Sequence, residues 1–229
     1  VRGESIVTDI DNTILRTERR LRKVLEELGW EELFPQIRAR YDGVKALLSP
    51  EEQDRFYGLF LSERYLHLDE PLPGAAQALR ALQEAGYRII YLTGRHDAPG
   101  DSMRRGTELW LAEHGFPHPG DGSTLLWMKP RRGLDDRQFK EEALQEILKL
   151  GPVRAGIGDR PSDIEAYLSR GIPAILVRGS PRGEPQGSGP RGVPLGGGLA
   201  PWDRLQEVEA KAKVVHDWTE LLALLRGSS

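Results

Sequence analysis

From residue 75 onward the chain switches repeatedly between two apolar periods, and this alternation limits its fold more than any other feature. Helix-period stripes over 75–85, 102–114, 137–150, 161–170 and 218–226 are interleaved with short β-type runs over 87–92, 124–128, 153–157, 172–177 and 213–216. Glycines punctuate the pattern, with Gly86, Gly115, Gly151 and Gly171 each closing a helix. Strands that alternate with helices predict a parallel sheet covered on both faces, a three-layer, Rossmann-like α/β core.

One further strand run, 5–10, precedes this region and is separated from it by about fifty residues of purely helical pattern. Leu21, Val24, Leu25 and Leu28 form a stripe closed by Gly29, and Ser49, Pro50 and Glu52 carry the signature of a capping box with proline at the first helical position. The expected organisation is a core of residues 1–15 and 71–229, an all-helical insert over 16–70, and a flexible surface segment over 179–198. In that segment 12 of 20 residues are Gly or Pro, which leaves too little apolar surface for a packed element.

With 229 residues the chain can bury a sizeable core without a staple. Zero cysteines exclude a disulfide framework, thiolate metal sites and a cysteine nucleophile. The net charge of −3 provides no global basic field for nucleic acid. Apolar runs are too short to span a bilayer and no signal peptide is visible, so no membrane partner is expected and the cytoplasm is the default location.

In an open parallel sheet, ligands bind beyond the carboxyl ends of the strands. The residues at those ends are Asp9, Asp11 and Thr13 after the first strand; Thr93, Gly94 and Arg95 after the second; and Gly158, Asp159 and, one helical turn on, Asp163 after the fourth. Crowded carboxylates raise one another's pKa or require a cation. An all-oxygen donor set favours a hard ion, which makes Mg²⁺ the expected cofactor. A cation beside a carboxylate, a lysine and a hydroxyl suits a phosphoryl group.

These stations resemble the motifs of the haloacid dehalogenase superfamily. Asp9-Ile10-Asp11-Asn12-Thr13 matches its DxDxT motif, Thr93 its strand-closing hydroxyl, and Asp159 with Asp163 its acidic motif, all in the family's order. The resemblance implies that Asp9 is the nucleophile and a metal ligand. It implies that Asp11 is the general acid–base and binds the metal through its backbone carbonyl. Thr93 would hydrogen-bond the phosphoryl group, Asp159 would bind Mg²⁺, and Asp163 would support the ion. Thr13, Gly94 and Arg95 are the expected substrate-binding residues.

The family's lysine is expected at Lys140, 19 residues before Asp159, with Lys129, 30 residues before it, as the alternative. The stretches around Thr93-Gly94-Arg95 and 160–167 are also similar to polynucleotide-kinase-type phosphatase domains and to lipin-like phosphatases. Asn12 departs from the glycine of many relatives.

The helical insert falls where the family carries its cap, so Arg38, Arg40, Arg55 and Arg64 are candidate contacts for an anionic substrate. The implied function is Mg²⁺-dependent hydrolysis of a small phosphorylated metabolite through an aspartyl-phosphate. The alternatives are a nucleic-acid 3′-end phosphatase and a catalytically silent phosphate-binding or regulatory protein of the same fold.

Overall fold

A computed structural model of the chain describes residues 3–40, 42–98, 100, 102–120, 122–178 and 207–227. The Gly/Pro-rich segment expected to be flexible, 179–198, lies outside the described residues.

The core is a six-stranded, all-parallel sheet formed by β1 (Ser5–Thr8), β4 (Arg88–His96), β5 (Thr124–Lys129), β6 (Val153–Gly158), β7 (Ala174–Val177) and β8 (Lys213–Val215), in the order β5-β4-β1-β6-β7-β8. The first strand is central. The chain builds outward to β5 on one side, returns, and builds outward on the other. The order therefore reverses at β1, the place where an α/β sheet opens a crevice for ligand.

Successive strand residues point to opposite faces, and the core divides accordingly. Ile6, Ile89, Tyr91 and Ile157 pack with helices α5 (Ala75–Glu84), α6 (Met103–Glu113) and α9 (Trp218–Gly227). Val7, Ile90, Leu92 and Leu176 pack against α7 (Asp136–Lys149) and α8 (Pro161–Ser169). Each fully buried aliphatic side chain contributes roughly 1.5–3 kcal/mol, so both layers are needed to hold β1 in the middle.

The insert contains α1 (Glu18–Leu28), α2 (Phe34–Arg38), α3 (Gly43–Leu47) and α4 (Pro50–Phe60), with two short 3₁₀ turns. It has its own apolar cluster, centred on Val24, Leu25, Phe34, Ile37 and Phe56. The predicted capping box is formed: Ser49 Oγ accepts from Glu52 N, and Glu52 Oε2 accepts from Ser49 N.

Its two connections to the core pair with each other as a short antiparallel ribbon of β2 (Leu15–Arg16) and β3 (Glu70–Pro71), a feature without a sequence signal. The 3₁₀ turn at Glu63–Leu68 rests on α6, where a Cβ on Gly106 would lie 3.0 Å from Glu63 Cβ and Leu66 Cδ1. Among the described residues, no helix is long and apolar enough to cross a membrane.

Candidate active site

Strand register brings the sequence stations together. Thr8 pairs with Tyr91 on one side and Ile157 on the other, so Asp9, Thr93 and Asp159 leave three adjacent strands at nearly the same level. The turn after Asp9 uses the left-handed conformation at Asn12 (φ 62°), which asparagine tolerates better than most side chains. Asn12 Oδ1 also accepts from Thr17 N (3.3 Å) and Thr17 Oγ1 (3.0 Å), so the departure from glycine serves to tie the turn to the start of α1. At the end of β6 a Cβ on Gly158 would lie 2.6 Å from Asp163 Cβ, so only glycine lets α8 start so close to the strand.

The result is a buried acidic trio. Oxygens of Asp9, Asp159 and Asp163 lie within 4.8 Å of one another, and the three residues are 5%, 5% and 2% exposed. Lys140, on the inward face of α7, donates to Asp9 Oδ1 (2.7 Å) and Asp163 Oδ1 (2.8 Å). Thr13 Oγ1 lies 3.3 Å from Asp159 Oδ1 and 3.5 Å from Asp9 Oδ2.

Burial pushes the Asp9 carboxyl up to about 8; Lys140 pulls it down, and Asp163 and Asp159 push it further up. Burial alone would lower Lys140, yet Asp163 and Asp9 hold it well above the ordinary lysine range. Lys140 bonds two of the three carboxylates, the Arg160 guanidinium acts on Asp163 and Asp159 from the edge, and the donor atoms are all oxygen, so the trio with Thr13 fits a hard divalent cation.

Lys129 lies elsewhere: it donates to Asp136 Oδ1 (2.5 Å) and Leu134 O (3.1 Å). Of the two candidate lysines, Lys140 is thus the one in contact with Asp9.

Asp11 faces the other way. Arg95 grips it with Nε (3.0 Å) and Nη2 (2.7 Å), and Arg20 Nη2 approaches at 2.5 Å. Arg95 Nη2 also reaches Asp69 Oδ2 (3.0 Å), Arg20 Nε lies 3.0 Å from Asp69 Oδ1, and Arg95 Nη1 donates to Thr107 (3.0 Å). Burial would raise Asp11, but Arg95 and Arg20 outweigh it and hold the carboxyl below the usual range. Asp69, buried more deeply, is pushed up to about 6 despite the same two arginines.

Two sequence expectations change at this point. Arg95, expected on the phosphoryl group, is 1% exposed and has all its guanidinium nitrogens engaged by protein, because the buried Asp11 and Asp69 demand a cation. The insert arginines expected to meet substrate are also engaged. Arg38 pairs with Glu18, Arg40 with Asp42 and Arg64 with Glu27, while Arg55 lies over the Trp30 ring.

Thr93 Oγ1 accepts from Arg95 N (3.3 Å). Gly94 is where a Cβ would come 3.0 Å from Asp136 Oδ1. Sequence reasoning missed Arg20 and Asp69. Arg20 stands four residues before Val24 on the apolar stripe of α1, and an arginine at such a position was the one available signal.

The reversed parallel sheet, with its acidic trio at the switch point, has the haloacid dehalogenase-like fold. A solved Streptococcus pneumoniae hydrolase of that class superposes with a TM-score of 0.60 at 14% identity over 96% of this chain and 97% of its own. Within the class, the chain belongs to the family described as PITM 1-3, LNS2 domain, whose sequence profile matches residues 59–177.

Human Membrane-associated phosphatidylinositol transfer protein 1 is 32% identical over 103 residues, 43% of this chain. A Bacillus cereus protein named "Putative nucleotidase" is 33% identical over 125 residues, 55% of this chain. Human Phosphatidate phosphatase LPIN2 is 29% identical over 124 residues, 48% of this chain, in line with the lipin-like motif. The chain spans 7%, 58% and 14% of these three proteins.

Proposed function

We propose that this chain is a Mg²⁺-dependent phosphomonoester hydrolase that acts on a small phosphorylated metabolite through an aspartyl-phosphate. The observation that carries this reading is Asp9, buried at the switch point between Lys140 and two further carboxylates. Asp9, Asp159 and Asp163 would hold the ion with the Asp11 backbone carbonyl. When bound, Mg²⁺ neutralises phosphoryl oxygens and keeps the nucleophile ionised.

A carboxylate oxygen of Asp9 attacks phosphorus, and the bond from phosphorus to the leaving group's oxygen breaks as that leaving oxygen takes a proton from Asp11. Water then attacks the aspartyl-phosphate, Asp11 takes its proton, and inorganic phosphate leaves with Asp9 regenerated. Lys140 holds Asp9 in place and balances its charge. Two of the relatives are named for work on a nucleotide and on a phosphatidate, both phosphate monoesters, which supports the reaction type.

The test is release of inorganic phosphate from a panel of nucleotides, sugar phosphates and phosphatidate with Mg²⁺. Turnover of a metabolite ester above all others supports the reading, and inertness toward every ester sinks it.

One observation favours a second reading, a silent phosphate-binding protein. The Arg20–Asp11–Arg95 pairing opposes the proton that an acid must carry. Tight, Mg²⁺-dependent binding of phosphate esters without turnover is the outcome that selects it.

A further inference from the structure

At the same carboxyl edge of the sheet, a second group of charges surrounds Asp136, outside the acidic trio. Strand register pairs His96, one strand over from the Asp9 station, with Lys129, two strands over. Lys129 Nζ lies 2.5 Å from Asp136 Oδ1, and Arg160 Nη1 lies 3.6 Å from Asp136 Oδ2. Arg132 Nε lies 3.4 Å from His96 Nε2.

Helix α4 of the insert closes the other side. A Cβ on Gly58 would sit 3.6 Å from Arg132 Nη1, and the Tyr57 phenol lies within electrostatic reach of Arg160 and Asp136. Arg160 adjoins Asp159, and its backbone N–H donates to Asp163 Oδ2 (3.3 Å), so the group abuts the trio. Asp42 also feels Arg160, but Arg40 holds it with two hydrogen bonds.

Lys129 and Arg160 meet Asp136, Arg132 faces the His96 ring, and Arg131 stands exposed beside Arg132. Arg132 is exposed and can turn toward a ligand beside α4, while the Arg160 side chain, 39% exposed and facing Asp163, Asp159 and Asp136, adds positive charge between that ligand and the trio. Guanidinium groups at a partly desolvated mouth suit phosphate and carboxylate oxygens.

We propose that Lys129, Arg132 and Arg160, with Tyr57 of the insert, form a second anion subsite, and that the preferred substrates are phosphomonoesters carrying another anionic group on the leaving-group side. The proposal rests on the phosphatase reading and narrows its substrate class. The trio takes the phosphoryl group that is removed, and the basic mouth holds the second anion and orients the leaving oxygen. Lys129, set aside as the partner of Asp9, thereby has a place in specificity.

The experiment compares matched esters on the full chain with Mg²⁺: adenosine 3′,5′-bisphosphate against adenosine 5′-monophosphate, and 3-phosphoglycerate against glycerol 3-phosphate. The member with the second anion is expected to show kcat/KM about tenfold higher, mainly through KM. In Arg132→Ala this preference falls toward unity, whereas p-nitrophenyl phosphate, which has no second anion, loses much less. Tyr57→Phe gives a smaller loss of the same kind.

Equal kcat/KM within both pairs, or a preference that survives Arg132→Ala, overturns the subsite. If no ester is hydrolysed at all, the phosphatase reading falls separately, and the same pairs are then titrated into the protein by calorimetry. Tighter binding of the doubly anionic member, lost in Arg132→Ala, upholds the subsite, and equal binding overturns it.

Discussion

Two buried charge clusters meet at the end of β1, separated along the chain by the single residue Ile10. Asp9 enters a cluster of three carboxylates and one lysine, whereas Asp11 enters one of two carboxylates and two arginines. The second cluster is complete: each carboxylate has two guanidinium partners, and the group ties both ends of the insert to the core. The first is less balanced: Lys140, with the Arg160 guanidinium at its edge, faces three carboxylates in a dry site, an arrangement that fits a further cation. Identical side chains two residues apart thus acquire opposite properties, one raised to about 8 by burial and one held low by arginine. Charge balance, not residue type, separates the half of the site proposed to react from the half that ties the insert to the core.

The sharpest break of this comparison is at the proposed nucleophile. Asp9→Asn is expected to lower p-nitrophenyl phosphate turnover at least about 10³-fold with the fold retained; residual activity within tenfold of wild type would remove Asp9 from the chemistry. Next in size is the lysine. Lys140→Ala should cost about 10²-fold in kcat, and Lys129→Ala less than about tenfold on p-nitrophenyl phosphate, both read by steady-state kinetics on protein verified by circular dichroism. The reverse order would place the catalytic cation at Lys129.

The less balanced cluster should also respond to metal alone. Mg²⁺ at a hundred times its Kd is expected to add about 2.7 kcal/mol of stability, seen as a rise in melting temperature that disappears in Asp159→Asn. No rise in the wild-type protein would show that the trio does not take the ion.

The smallest effect is the most discriminating, because its sign differs between the two carboxylates. In chelator, Asp9 has a folded pKa near 8, above its unfolded value. Its contribution to stability is therefore present below about pH 4 and lost as pH rises toward 8. Asp9→Asn should then stabilise the metal-free protein at pH 7.5 and have little effect at pH 4. Asp11 has a folded pKa below its unfolded value, so its contribution is present above about pH 4 and lost on acidification. Asp11→Asn should destabilise at pH 7.5, on the order of 2 kcal/mol, with the difference closing as pH falls. Urea denaturation across this range reads both, and equal signs at pH 7.5 would erase the distinction between the clusters.

Much of the core was legible because local patterns encode local structure. The glycine-closed helices and the strands at 124–128 and 153–157 follow from apolar period, and the α4 start from Ser49, Pro50 and Glu52. The trio was legible for a related reason: each member sits at a strand end, and a parallel sheet gathers its strand ends at one edge.

The Asp69 pairing was not legible. Asp69 lies 49 residues from Arg20 and 26 from Arg95, and nothing near it marks it apart from other acidic residues. Lys129 and Lys140 could not be separated by spacing with certainty, since the distinction depends on which face of α7 turns toward β1.

By itself the sequence determined the alternating α/β core, the helical insert and the set of oxygen donors at the strand ends. Those properties are carried by neighbours three or four residues apart and by strand length, which the chain specifies locally. Only the tertiary structure decided the partners of each charge. The strand order put β1 at the centre, the β2–β3 ribbon folded Arg20 and Asp69 back over Asp11, and α7 turned Lys140 inward. Electrostatics in a buried site depends on distances of a few ångströms between residues far apart in the chain, and such distances exist only once the layers have packed.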